Sequence, residues 1–239
     1  MNTIKIEKKQ VKLIAHRGLS GIEVENTNAA FVAAGNRSYY GVETDIYRTS
    51  DGHFVIGHDD NYTRISGEEI YLEKTSLAEL EKIVFFDKDG DKIRADLRPA
   101  RLESYLKIVK KYEKHAVLEL KSDFTDEEIA KIIEIVKSYG YLENTTFISF
   151  IYGNLTKIKK LLPNQSAQYL FWKITDEEIA RLSRDKIDVD VWVKELTREQ
   201  IEACHKAGLT VNCWTVDTAK EAEKLVDWGI DFITTNILE

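Results

Sequence analysis

Residues 116–150 read AVLELKSDFTDEEIAKIIEIVKSYGYLENTTFISF. The two ends, Ala116–Lys121 and Thr145–Phe150, are short runs rich in Val, Leu, Ile and Phe. That is the composition of strands buried on both faces in a parallel sheet. The stretch between them, Asp126–Tyr139, is amphipathic and predicts a helix. Thr125 followed by Glu128 is a capping box at its start, and Gly140 supplies a left-handed residue at its end. The segment is therefore one strand–helix–strand unit.

The same unit recurs in both directions. Strands are predicted at Lys12–His16, Val42–Tyr47, Ala167–Phe171, Val189–Val193, Thr210–Val216 and Phe232–Thr235. Helices are predicted at Thr27–Asn36, Leu102–Tyr112, Gly153–Leu162, Asp176–Ser183, Arg198–Ala207 and Ala219–Trp228. Further capping boxes stand at Thr175/Glu178, Thr197/Gln200, Ser76/Glu79 and Thr218/Glu221, and Gly208 and Gly229 close helices. About eight strands with helices between them favour a closed (β/α)₈ TIM barrel over an open α/β sheet. The segment 59–98 is too long for a plain loop. It is expected to be an excursion over one end of the barrel, with a short helix at Leu77–Val84. No internal boundary appears, so residues 1–239 are expected to form one domain.

Composition agrees. The chain has 239 residues, near the ~250 of such a barrel, and needs no staples for a core of that size. Its net charge of −7 argues against a general nucleic-acid binder. Cys204 and Cys213 form no disulfide framework and read as reduced, buried thiols. The polar start, Met1–Leu13, lacks the apolar core of a secretory signal, and no run reaches the ~20 apolar residues of a spanning helix. A cytoplasmic location without stable membrane insertion is the expectation; the oligomeric state is left open.

The residues that carry chemistry gather where strands end. Glu43 and Asp45 are two apart on one strand, so both point to one face of an otherwise apolar run. Buried like charges need a compensating cation or a basic partner. Oxygen ligands would suit one hard divalent cation, Mg²⁺ or Ca²⁺. Glu119 and Lys121 repeat the spacing. Glu119 can complete a three-carboxylate site and Lys121 can neutralise a phosphoryl oxygen, or the two can pair with each other. His16 and Arg17 follow the first strand. His58 follows the short run 54–56 beyond the turn at 50–52, so residues 47–58 suggest a hairpin that returns it to the barrel mouth. Two histidines beside a metal suit acid–base work. His53, His115 and His205 read as surface residues. Asp87–Asp91 fails the register of a calcium loop, and no glycine-rich phosphate loop or zinc-deaminase pattern is present.

Together these clusters carry a resemblance. His16-Arg17-Gly18, Glu25-Asn26-Thr27 with Ala30-Phe31, Glu43-x-Asp45, Thr49-x-Asp51-Gly52, His58-Asp59, Glu119-x-Lys121, Val211-x-x-Trp214-Thr215-Val216, Gly229-x-Asp231 and Thr235-Asn236 resemble the glycerophosphodiester phosphodiesterase family along nearly the whole chain. The resemblance implies a (β/α)₈ barrel that cleaves small-molecule glycerophosphodiesters to glycerol 3-phosphate and an alcohol. It implies that Glu43, Asp45 and Glu119 bind the cation and that His16 and His58 are the acid and base. Arg17 and Lys121 would hold the phosphate, Trp214 would lie beside the substrate, and Glu25 and Asn26 would buttress the His16 loop. Val24 stands where the family commonly has proline, and the close Thr235-Asn236-Ile237-Leu238 lacks the usual proline, which bears on loop geometry. Phe171 and Trp172 either wall the pocket or pack beneath a helix. The competing readings are a phospholipase-type enzyme on the same barrel and a non-catalytic phosphate-binding barrel.

Overall fold

The structure is a computed structural model that describes residues 2–92 and 94–239. The strands are β1 (Lys12–Ala15), β2 (Gly41–Arg48), β3 (Phe54–Ile56), β4 (His115–Leu120), β5 (Thr145–Ser149), β6 (Ala167–Phe171), β7 (Asp188–Trp192), β8 (Val211–Trp214) and β9 (Phe232–Thr235). All but β3 pair in parallel around a closed ring, which β1 completes by pairing with both β2 and β9. The short strand β3 folds back antiparallel onto the far end of β2, in the hairpin expected there.

The helices are α1 (Asn28–Gly35), α2 (Thr63–Ser66), α3 (Leu77–Leu80), α4 (Leu102–Lys111), α5 (Asp126–Ser138), α6 (Tyr152–Leu161), α7 (Asp176–Asp185), α8 (Arg198–Lys206) and α9 (Ala219–Asp227). Seven of them, α1 and α4 to α9, connect successive barrel strands. The chain is thus a (β/α)₈ barrel, with an excursion after the second barrel strand.

Alternation along each strand sorts side chains into two layers. Leu13, Val42, Ile46, Ala116, Leu118 and Leu120 belong to the core between strands and helices. Ile14, Val117, Ile148 and Leu170 form a separate cluster inside the barrel. Glu43, Asp45 and Glu119 stand at the inward positions of β2 and β4, so the pleat itself aims them at the barrel mouth.

The excursion packs Tyr62, Leu72, Leu77, Leu80, Ile83, Phe85 and Leu97 into a small core together with Val24 and with Val55 of β3. The helix expected at Leu77–Val84 stops at Leu80. Beyond it the backbone is committed to tertiary hydrogen bonds: Phe85 N–H donates to Leu97 C=O at 2.8 Å and Phe86 N–H to Ile65 C=O at 2.8 Å. Three of the expected capping boxes form in full, at Thr125, Thr175 and Thr197. Two do not. Ser76 Oγ donates to the Glu79 carboxylate, and Asp51 caps the Leu77 N–H instead. Thr218 accepts from Glu221 N–H, but the Glu221 side chain is drawn to Lys194 at 2.7 Å. His115 is also a correction. It begins β4, is half-buried, and bonds to Thr146 Oγ1 at 2.8 Å, so it is not a surface residue.

Candidate active site

The turn after β1 is built on left-handed backbone. Arg17 has φ +54° and Gly18 φ +75°. A side chain at Gly18 would meet Ala30 C and Cβ at 2.7 Å, so the turn packs directly on α1. This geometry points the Arg17 N–H at Glu43 Oε2, 2.7 Å away. Asn26, also left-handed at φ +59°, lies against the same turn, its N–H bonded to Arg17 C=O. Its amide nitrogen donates to Asp45 Oδ2 at 2.8 Å and its oxygen accepts from Thr44 Oγ1 at 2.8 Å.

Glu43, Asp45 and Glu119 come together as a buried trio, with ligand oxygens all within 4.8 Å of one another. Lys121 Nζ lies 2.9 Å from Glu119 Oε1 and 3.5 Å from Asp45 Oδ1. Arg17 Nη1 pairs with Glu25 Oε1 at 2.9 Å, while its Nε stands 3.8 Å from Asp45 Oδ2. These two cations do not complete the trio. Glu43 Oε1, Asp45 Oδ1 and Arg17 Nε are buried without a hydrogen-bond partner. Burial, with Asp45 and Glu119 alongside, pushes the Glu43 carboxyl well above the usual range. Burial and Asp45 together raise Glu119 to about 7. Asp45 is opposed by burial too, but Lys121 and Arg17 outweigh it and hold the carboxyl at about 2. Lys121 stays charged because Asp45 and Glu119 more than offset its burial.

Such a donor set fits a cation. Ion–oxygen distances of about 2.0–2.6 Å put two ligands at most about 5 Å apart. Carboxylate oxygens left without donors are costly unless a positive charge meets them.

His16 and His58 flank the trio. Asn236 spends its N–H and its amide nitrogen on Asp217, at 2.7 and 2.6 Å, so its oxygen faces His16 Nδ1 at 2.8 Å. The imidazole proton is thereby placed on Nδ1, and Nε2 keeps its lone pair. Burial and then Arg17 lower His16 to about 4. His58 returns on the hairpin, where Gly57 N–H bonds Asp45 C=O at 3.2 Å. Its Nδ1 meets Asp59 Oδ1 at 2.7 Å, and Asp59 is held by Arg64 Nε at 2.7 Å. Burial lowers His58 as well, against the pull of Asp45 and Asp59. Arg64 also grips Glu25 at 2.9 and 2.7 Å, joining both histidine loops through one guanidinium.

Two cavities meet here. One of about 100 Å³ runs into the barrel past both histidines, Glu43, Glu119, Phe150 and Trp214. A wider groove of about 770 Å³ passes His16, Arg17, Glu25, Lys88 and Asn236. Every site residue expected from sequence therefore borders one small volume or touches a residue that does. Trp172 and Phe171 divide: Trp172 stands 60% exposed at the mouth, whereas Phe171 is buried in the strand–helix core. Sequence reasoning missed three residues. Arg64 sits in the excursion, where no spacing marks it. Asp217 acts only through Asn236. Asp190 lines the inner cavity, 1% exposed, with Oδ1 unpaired, and its inward position on β7 could have flagged it.

The sequence profile of the glycerophosphoryl diester phosphodiesterase family matches residues 16–239. A glycerophosphodiester phosphodiesterase of Caldanaerobacter subterraneus subsp. tengcongensis is 28% identical over 229 residues, 94% of this chain and 93% of its own length. Among solved structures, a phosphodiesterase of Oleispira antarctica in complex with the product sn-glycerol-3-phosphate is similar at a TM-score of 0.87. It is 28% identical and the match covers 94% of this chain and 92% of that one. A glycerophosphodiester phosphodiesterase of Parabacteroides distasonis is similar at a TM-score of 0.79 and 29% identity, covering 96% and 94%.

Proposed function

Because the chain belongs to the glycerophosphoryl diester phosphodiesterase family, we propose that it hydrolyses glycerophosphodiesters to glycerol 3-phosphate and an alcohol at one divalent cation. It is a phosphoric diester hydrolase by family and by its relatives. The observation that carries the proposal is the buried trio of carboxylates, in which Glu43 Oε1 and Asp45 Oδ1 accept no hydrogen bond, set between two histidines whose Nδ1 atoms are already engaged.

Glu43, Asp45 and Glu119 hold the cation, Mg²⁺ or Ca²⁺ by donor type. When bound, it polarises the phosphoryl group and eases loss of a proton from an oxygen nucleophile. Arg17 and Lys121 hold the phosphoryl oxygens and favour the charge that builds there. Trp214, which lines the inner cavity, lies beside the substrate.

His16 is the base. Its lowered pKa keeps Nε2 unprotonated at neutral pH, ready to take the proton of the glycerol 2-hydroxyl as that oxygen attacks phosphorus. His58 is the acid. Burial lowers its pKa, Asp45 and Asp59 pull against that, and in its protonated form it gives a proton to the departing alkoxide as the P–O bond to the alcohol breaks. Water then opens the cyclic phosphate with the two roles exchanged. Residues 1–239 act as one barrel domain in this scheme, with 59–98 supplying Asp59 and Arg64 to the mouth. A cytoplasmic setting accords with the free thiols of Cys204 and Cys213. Among the described residues no helix is long and apolar enough to cross a membrane.

Alanine at His16 or at His58 should each lower turnover of an alkyl glycerophosphodiester by about 10²–10⁴-fold while the fold is kept. A p-nitrophenyl leaving group needs no acid, so it should restore much of the His58→Ala rate and little of the His16→Ala rate. Equal recovery would undo the division of roles, and near-wild-type turnover of either variant on the alkyl substrate would remove that histidine from the mechanism.

A further inference from the structure

Three of the four tryptophans in the chain converge on one side of the barrel mouth. Trp172 follows β6, Trp192 ends β7 and Trp214 ends β8, while Phe150 follows β5. The Trp172 ring lies 5.8 Å from Phe150, 5.7 Å from Trp192 and 5.1 Å from Trp214. Phe150 and Trp214 meet edge to face at 5.5 Å. These last two line the inner cavity, so the wall runs outward from the site to the solvent without a break. Trp214 is fixed by an Nε1–H bond to Asp190 C=O at 3.4 Å, whereas Trp172 is left 60% exposed.

The faces of this wall are free of cations. Nine cation–π contacts occur among the described residues, and none uses these four rings. The lysines beside the wall are already paired, Lys173 with Glu195 at 3.6 Å and Lys194 with Glu221 at 2.7 Å. An electron-rich aromatic surface next to a phosphodiester site, with no basic group of its own, attracts a cation of low hydration. A compact quaternary ammonium also buries its methyl groups on the rings, which a hydroxylated head group does not.

We propose that Trp172 and Trp192 extend the wall of Phe150 and Trp214 into a subsite for a quaternary ammonium head group, so that choline-type glycerophosphodiesters are preferred over those of neutral alcohols. The inference rests on the phosphodiesterase reading and deepens it. The anionic phosphodiester lies at Arg17 and Lys121, the head group lies on the rings, and the bond broken is the one from phosphorus to the choline oxygen, which leaves with the proton from His58.

The test compares kcat/KM for three substrates that differ only in the alcohol: choline, its uncharged carbon isostere 3,3-dimethylbutanol, and glycerol. Choline should exceed the isostere by about 3- to 30-fold in the wild-type protein. Trp172→Ala, at an exposed site that should fold normally, should cut that choline-to-isostere ratio several-fold. Equal rates for choline and the isostere would leave the activity standing and overturn the cation subsite. A preference for glycerol would overturn the whole wall as a head-group site. No turnover of any of the three would remove the phosphodiesterase reading, and the subsite with it.

Discussion

Asp45 and Glu119 share one lysine, yet they titrate on opposite sides of their ordinary values. The difference is supply of positive charge: Asp45 faces both Lys121 and Arg17, whereas Glu119 has Lys121 alone and sits beside Asp45. Without a cation, Glu119 near about 7 binds more protons when folded than when unfolded, so this group's contribution to stability falls as pH rises from 4.5 towards 7. Asp45 and His16 act in the other direction. Their folded values lie below the unfolded ones, so the stability they give is lost as pH falls, through 6.5 to about 4 for His16 and 3.8 to about 2 for Asp45. A cation held by Glu43, Asp45 and Glu119 would take the place of the protons that Glu43 and Glu119 otherwise favour. The rise in Tm on adding Mg²⁺ or Mn²⁺ should therefore grow between about pH 5 and about pH 8, and shrink in Glu119→Gln. A pH-independent rise, or none, would contradict a carboxylate-held cation. At this scale the paired carboxylates were legible because strand alternation alone puts Glu43 with Asp45 and Glu119 with Lys121. Arg64 was not, because its bonds to Glu25 and Asp59 depend on how a 40-residue excursion folds.

The element that sets the site is the turn from β1 to α1. Gly18 N–H bonds Glu43 C=O at 3.1 Å, and the turn leaves no room for a side chain over Ala30. Gly18→Ala should cost about 1–3 kcal/mol in urea unfolding, through the left-handed φ and the clash together, and should lower activity by shifting His16 and Arg17. Unchanged stability would mean the turn relaxes freely. Helix starts at Thr125, Thr175 and Thr197 were readable because their capping bonds are local. The stop of α3 at Leu80 was not, since the competing partners, Leu97 and Ile65, lie far along the chain. The hairpin of β2 and β3 was readable from its turn, and it carries His58 to Asp45.

Across the whole molecule, the barrel was legible as repetition: strand and helix patterns alternate, and each strand buries both faces, one against helices and one inside. Closure rests on β1 pairing with β9, ends of the chain that no local pattern connects. Closure is also what brings Asn236, just past β9, to His16 and completes the site. The measurement that bears most directly on this account is release of glycerol 3-phosphate from a panel of glycerophosphodiesters, with Mg²⁺, Ca²⁺ or Mn²⁺ and with chelator, a lysophospholipid being assayed alongside. Release that requires a divalent cation and disappears on chelation is the predicted result; release that survives exhaustive chelation, or cleavage of the lysophospholipid alone, would contradict it.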